Sequence, residues 1–180
     1  MPAKKVLIIS SSPRKKGNSD LLCDQFLQGA KEAGHRAEKI FLAKYNIGFC
    51  TGCGACNQTH RCVLKDDMEK LLNKMVSADV IVLATPVYFY SMCGQLKTFL
   101  DRCVPRYTEI SDKDFYFIVS AADTKKKNML RTLEALRGFT EDCLDNPHEK
   151  GIIYGVGAWE KGEIKDTDAF EKAYQMGKKC

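Results

Sequence analysis

Continuous apolar runs alternate along this chain with segments whose apolar residues recur every three or four positions. Val6-Leu7-Ile8-Ile9, Val80-Ile81-Val82-Leu83-Ala84 and Phe115-Tyr116-Phe117-Ile118-Val119 are apolar without interruption, the pattern of strands buried on both faces. Ala37 to Leu42 and Ile152 to Val156 are weaker strand candidates. Between the strands, Leu21, Leu22, Phe26 and Leu27 line one helix, and Met68, Leu71, Leu72 and Met75 a second. Leu96, Phe99, Leu100 and Cys103 line a third, and Leu130, Leu133, Leu136, Phe139 and Leu144 a fourth. This alternation predicts an α/β fold, a parallel sheet covered by helices on both faces and joined by right-handed crossovers. No repeat, low-complexity tract or linker interrupts it, so residues 1–180 are expected to form a single domain. A polar tail follows Trp159, with a short helix expected from Thr167 to Lys178. Its Ala169, Phe170, Ala173 and Met176 suit docking onto the body or onto a second subunit.

In such a sheet, ligands bind beyond the carboxyl ends of the strands, near the point where strand order reverses. The loop after the first strand runs Ser10-Ser11-Ser12-Pro13-Arg14-Lys15-Lys16-Gly17-Asn18-Ser19. Its hydroxyls, its glycine and an N-cap from Asn18 or Ser19 would turn backbone N–H groups toward an anion, and Arg14 and the helix dipole add positive potential. Neither G-x-x-x-x-G-K-[ST] nor G-x-G-x-x-G follows that strand, which excludes a P-loop nucleotidase and argues against a nicotinamide-binding Rossmann domain. The loop suits a phosphomonoester, such as the terminal phosphate of FMN, better than a bridging pyrophosphate. An ordinary strand-to-helix turn is the competing reading. After the next central strand, Thr85-Pro86-Val87-Tyr88-Phe89-Tyr90 sets three aromatics at the same edge, where they would flank a planar ring or pack on the rim of the core.

A loop of about 43–66 shows little helical or strand pattern and carries Cys50, Cys53, Cys56 and Cys62. Iron in a cluster prefers thiolate sulfur, and two-residue spacers let successive thiolates converge on one small cluster. Zinc, with His60 as an added ligand, is the alternative, although paired zinc knuckles usually sit a dozen or more residues apart. The remaining cysteines, Cys23, Cys93, Cys103, Cys143 and Cys180, are scattered, and a total of nine argues against a disulfide framework. With no stretch that reads as a signal peptide or a membrane span, a cytoplasmic protein with reduced thiols is expected. The net charge of +5 is spread among acidic residues, and the basic runs lack interleaved aromatics. Neither nucleic acid nor a membrane is therefore expected as a partner.

Three segments, SSPRKKGNS, CTGCGACNQTHRCVLKDDM and ATPVYFYSMCGQLKTFLDR, together resemble the NAD(P)H-dependent FMN reductase family of the flavodoxin-like fold, and within it the iron–sulfur flavoproteins. The resemblance covers Lys4 to about Val156. It implies a three-layer sandwich with a five-stranded parallel sheet in the order 2-1-3-4-5, FMN at the switch point, and a homodimer or homotetramer with the flavin near a subunit interface. By position, Ser12, Arg14, Asn18 and Ser19 would hold the FMN phosphate, and Pro86, Val87, Tyr88 and Phe89 would line the isoalloxazine. Ser10, Gly17, Thr85 and Ser120 complete the candidate cofactor-binding set, and Cys50, Cys53, Cys56 and Cys62 would hold a four-iron four-sulfur (4Fe-4S) cluster. The chain departs from the family pattern at Ser11-Ser12, where many relatives have Gly-Ser, and at Ala121-Ala122-Asp123-Thr124-Lys125, where relatives often carry a glycine-rich loop.

The implied function is that of an FMN-dependent oxidoreductase, with NAD(P)H as electron donor. The cluster would relay electrons between FMN and a small-molecule or protein acceptor, a ferredoxin-type protein among them. A reductase of FMN or quinones whose cysteines are empty or bind zinc is the nearest alternative. A non-catalytic flavodoxin-like carrier fits less well, because such carriers are usually acidic, and a zinc-binding interaction module would leave the phosphate loop without a purpose. No acid–base side chain is expected to be catalytic, since the cofactor carries the chemistry. His35 and His148 read as structural, and Asp66-Asp67 as an acidic helix start with Asp66 as N-cap.

Overall fold

The computed structural model describes residues 2–180. Its strands are β1 (Lys5–Ser10), β2 (Arg36–Phe41), β3 (Val80–Tyr88), β4 (Ser91–Met92), β5 (Asp114–Ala121) and β6 (His148–Val156). Five of them pair in parallel in the order β2-β1-β3-β5-β6, and β4 folds back on the end of β3 as an antiparallel hairpin. Counting parallel strands alone, this is the expected order 2-1-3-4-5. Residues in register across the centre are Ile8, Val82 and Tyr116, with Ile9, Leu83 and Phe117 beside them.

Successive side chains of a strand point to opposite faces, so both faces of the central strands need cover. Val6, Ile8, Val82 and Ile118 pack with Leu22 and Phe26 of α1 (Asn18–Glu32). Leu7, Ile9, Leu83 and Phe117 pack on the other side with α3 (Met68–Ser77), α4 (Gly94–Asp101) and α5 (Leu130–Cys143). A one-turn helix, α2 (Cys56–Thr59), lies in the cysteine loop, and α6 (Asp168–Lys179) follows the last strand. The apolar runs are continuous because neither face of β1, β3 or β5 meets water.

Two strands run beyond their apolar runs. Pairing with β5 carries β6 back through polar residues to His148, which is a strand residue rather than part of a turn. β3 continues through Pro86 to Tyr88, and Phe89 and Tyr90 then form a two-residue hairpin turn with φ of 49° and 62°. Turns of this kind need positive φ at both central residues and normally use Asn-Gly, so two aromatic residues hold it at some strain.

The last helix docks on the body. Ala169, Ala173 and Gly177 form its buried stripe, and α6 crosses α1 with backbones nearly touching. A Cβ added at Gly29 would lie 2.1 Å from the Tyr174 carbonyl oxygen, and one at Gly177 would lie 2.1 Å from that of Phe26. The Tyr174 hydroxyl donates to the Glu32 carboxylate at 2.5 Å. Among the described residues, no helix is long and apolar enough to cross a membrane.

The crossing yields a prediction. Gly29→Ala and Gly177→Ala should each lower the urea midpoint by the cost of overpacking, about 1–3 kcal/mol or more. Gly138→Ala is the control: it lies within α5, and an added Cβ meets nothing nearer than the Asp142 carboxylate at 3.9 Å. It should raise stability by about 0.5–1 kcal/mol, the usual gain from replacing a mid-helix glycine.

Candidate functional site

The loop after β1 is held from beneath by a carboxylate. Asp20 is buried on the first turn of α1, where it accepts hydrogen bonds from the Ser10 hydroxyl at 2.7 Å, the Lys16 N–H at 2.8 Å and the Lys39 ammonium at 2.7 Å. Burial by itself would raise its pKa, but the bonds from Lys39, Ser10 and Lys16 outweigh burial and hold the carboxyl below its usual range. Lys16 turns the chain at φ 57°. Gly17 is the N-cap in place of Asn18 or Ser19, and no side chain caps the helix. The first-turn amides of α1 are therefore free of side-chain caps.

Two observations describe what this turn leaves open. A Cβ at Gly17 would stand 3.0 Å from both the Ser12 hydroxyl and the Arg14 carbonyl oxygen, so any larger residue would crowd the hollow. The Ser19 hydroxyl is buried, 1% exposed, and has no hydrogen-bond partner. Leaving such a group unpaired costs about 1–3 kcal/mol, which an oxyanion in the hollow would recover. Ser11, where relatives have glycine, has no positive φ, and its hydroxyl donates inward to the Ala84 carbonyl at 2.6 Å. The position tolerates serine for that reason.

A cavity of about 200 Å³ gathers Ser12, Arg14, Gly17, Asn18 and Ser19 from the first loop, Pro86, Val87 and Tyr88 from the end of β3, and Ser120 from β5. Three residues expected there are elsewhere. Ser10 faces Asp20 under the loop. Thr85 is buried, with its hydroxyl accepting the Cys93 N–H at 3.0 Å and donating to the Pro86 carbonyl at 2.7 Å. Phe89 is fully exposed, because the tight turn it occupies carries its ring out beyond the sheet. Ala121 and Ala122, noted above only as a departure from the family pattern, join the lining, as do Ala158 and Trp159, which no motif marked. The alanines lie at or just beyond the ends of β5 and β6, a signal the sequence held; Trp159 is reachable only through the fold.

The cysteines line a second cavity of about 240 Å³, with walls that include Val63, Leu64, Val104 and Pro105; it shares no residue with the first. Gly52 and Gly54, at φ 65° and 73°, allow left-handed turns between successive cysteines that residues with a Cβ adopt only at a cost. Cys50, Cys53, Cys56 and Cys62 thereby face one space. Among the described residues, no group of three or more His, Cys, Asp or Glu side chains is drawn together closely enough to hold a metal ion. The donor set still suits a thiophilic centre: four thiols around one partly apolar hollow. Hydrogen bonds from the Ala55 N–H and the Thr51 hydroxyl hold the Cys53 thiol below its ordinary value. Burial instead pushes Cys23 and Cys103 up, as expected of inert core thiols. His60 ends α2 at φ 53° and lines an adjoining cavity of about 600 Å³ beside Arg61, Lys65 and Arg106, which shares Cys62 and Arg102 with the cysteine cavity.

A buried arginine closes the neck of the cysteine loop. Arg102, 1% exposed, donates through Nη1 to the Gly48 carbonyl at 2.7 Å and to Asp66 Oδ2 at 2.7 Å, and through Nη2 to Asp66 Oδ1 at 3.0 Å. Asp66 in turn accepts the Gly48 and Met68 N–H groups, at 2.9 Å and 3.1 Å. Its main role is this clamp; Asp67 occupies the N-cap position of α3. The chain segments entering and leaving the loop are tied to one side chain, which also stands beside the Cys62 thiol. Burial raises the Asp66 pKa, but Arg102 and the two amides outweigh it and keep the carboxyl below its usual value.

A doubly wound parallel sheet whose five parallel strands run in the order 2-1-3-4-5 defines a flavodoxin-like protein. Within that class the assignment is specific: residues 4–143 match the NADPH-dependent FMN reductase family, and the chain belongs to that family of oxidoreductases. It is 34% identical over 178 residues to an iron-sulfur flavoprotein of Archaeoglobus fulgidus, covering 97% of this chain and 78% of that protein. It is 42% identical over 101 residues to an iron-sulfur flavoprotein of Methanocaldococcus jannaschii, covering 56% of this chain and 52% of the relative, so that match spans about half of each. The fold also superposes on the NAD(P)H:quinone oxidoreductase of Methanothermobacter marburgensis with a TM-score of 0.75 at 16% identity, over 98% of this chain and 96% of that one.

The clamp sets a pH-dependent prediction. Arg102→Met leaves a buried carboxylate unpaired and should cost about 3–5 kcal/mol at pH 7. Because the folded-state pKa of Asp66 is depressed, the pair's contribution is complete above about pH 4 and is lost as pH falls through the lower folded value. The stability deficit of the variant, read from urea melts at pH 7 and pH 3, should therefore shrink in acid. A deficit independent of pH would show that packing, not charge, holds the neck.

Proposed function

We propose that this chain is an FMN-dependent oxidoreductase that seats the flavin phosphate in the loop after β1 and carries an iron–sulfur cluster on Cys50, Cys53, Cys56 and Cys62. The observation that carries the reading is the buried, unpartnered Ser19 hydroxyl in a hollow lined by Arg14 and the start of α1. The names of the two archaeal relatives support the cluster, as does the gathering of four thiols around one cavity.

The flavin, when bound, supplies hydride and one-electron chemistry. The chain's own residues bind and orient it. Arg14, the Ser12 and Ser19 hydroxyls and the first-turn amides of α1 would offset the charge of a phosphate dianion. Pro86, Val87 and Tyr88 offer a shelf for the ring. The cavity, at about 200 Å³, is smaller than the roughly 300–1,000 Å³ of sites that enclose a small molecule. A ring would therefore lie partly at the surface, with one face open to NAD(P)H or to a small-molecule or protein acceptor. At the second site, the Arg102–Asp66 clamp keeps the cysteine loop closed, and its apolar walls limit water around the thiols.

A second reading is favoured by one observation: the thiols are not drawn into metal-holding geometry. On that reading the chain passes hydride from NAD(P)H to a quinone or free flavin without a cluster.

Anaerobically purified protein decides between them. Iron and acid-labile sulfide at about four each per FMN, lost in Cys53→Ser while FMN remains, would support the cluster. FMN without iron in the wild type would sink the relay and leave the reductase. The phosphate assignment has its own check by flavin titration: Ser19→Ala should weaken FMN binding about tenfold, as for one hydrogen bond to a charged group, and leave riboflavin unaffected. Equal losses for both ligands would remove Ser19 from the phosphate site.

A further inference from the structure

We propose that Trp159 is a flavin-contact residue and that Asn18 is the positioning residue that holds it, rather than a side-chain ligand of the phosphate. The inference rests on the FMN reading above. The sheet order places β3 and β6 on either side of β5, so the loops leaving β3 and β6 flank the segment that follows β5. Tyr88 stands on one flank of the cavity and Trp159 on the other.

The Asn18 side chain has no capacity left for a phosphate. Both hydrogens of its amide group are engaged, by the Ala158 carbonyl at 3.1 Å and the Glu160 carbonyl at 2.9 Å, and its oxygen accepts the Gly162 N–H at 3.0 Å. The Glu163 carboxylate accepts the N–H groups of Trp159 and Glu160, at 2.7 Å and 2.8 Å. Upstream, the Gly157 N–H donates to Asp123 and the Ala158 N–H to Ala121, at 3.0 Å and 3.2 Å. The backbone of the loop is thus pinned from both sides, yet the indole it carries is 72% exposed at the cavity edge. A large aromatic kept in water on a fixed backbone forgoes its own burial; docking a planar ring against it recovers that burial at little ordering cost. An indole offers a planar apolar face and no charge, so its chemistry suits the ring or ribityl part of a flavin rather than its phosphate.

Trp159 is the one tryptophan of the chain, and apo-protein titrated with FMN and with riboflavin tests the assignment. Trp159→Ala should weaken both ligands about tenfold, the scale of one lost aromatic contact, while Trp159→Phe stays within about threefold. Asn18→Ala should weaken FMN and riboflavin by the same factor, and should cost nothing further when combined with Trp159→Ala, since both changes remove one contact. An Asn18→Ala loss confined to FMN, or additive with Trp159→Ala, would make Asn18 a phosphate ligand and overturn the latch. Unchanged affinities in Trp159→Ala, an exposed position whose folding is not at risk, would overturn the contact. If the wild-type apo-protein binds neither flavin, the FMN reading itself fails and this inference falls with it.

Discussion

Parallel pairing is the constraint on which the rest depends. Strands that all run one way deliver their carboxyl ends to one edge of the sheet, and each connection must recross the sheet as a helix before the next strand begins. The segments around Gly17, Tyr88, Ala122 and Trp159 are far apart in sequence, yet they meet because β1, β3, β5 and β6 end side by side. The reversal of direction between β2-β1 and β3 opens the crevice at that edge. A flat antiparallel arrangement of the same strands would scatter these loops to both ends.

Each of the two candidate sites then depends on a buried ion pair that grips backbone. Asp20 takes the Lys16 N–H while paired with Lys39, and so sets the curl of the loop after β1. Asp66 takes the Gly48 N–H while paired with Arg102, and so closes the cysteine loop. Buried pairs of this kind add little net stability over apolar residues of the same volume, because both charges must be desolvated. What they add here is geometry: a carboxylate with several lone pairs can hold a side chain and a backbone amide at once, which an apolar contact cannot do. Loops that carry chemistry have few apolar residues to fix them, so charge substitutes for packing.

Much of the fold was legible because burial on two faces and burial on one stripe leave different periodicities. The central strands and the four main helices follow from patterns within about ten residues of each other; the strand order came only from the resemblance to a family. The cysteine loop was legible for a similar reason, since thiol spacing is local. Hydroxyl direction was not. Ser10, Ser12 and Thr85 look equivalent in the chain, but Ser10 turns to Asp20, Thr85 to the Cys93 amide, and only Ser12 reaches the cavity. Phe89 reads as a slot residue beside Tyr88, and a two-residue turn carries it away.

Short-range spacing in the chain carries the class of fold, the serine- and lysine-rich turn that follows the first strand and the four thiols that line one cavity. Tertiary structure alone decided which residues face the cavity, that Arg102 rather than any cysteine neighbour governs the neck, that α6 lies on α1, and that Asn18 binds the loop bearing Trp159. Those outcomes rest on contacts between residues far apart in the chain, 144 positions in the case of Asn18 and Gly162, where one carbonyl or one missing Cβ settles the geometry. No periodicity in a chain records the distance between two atoms that only folding brings together.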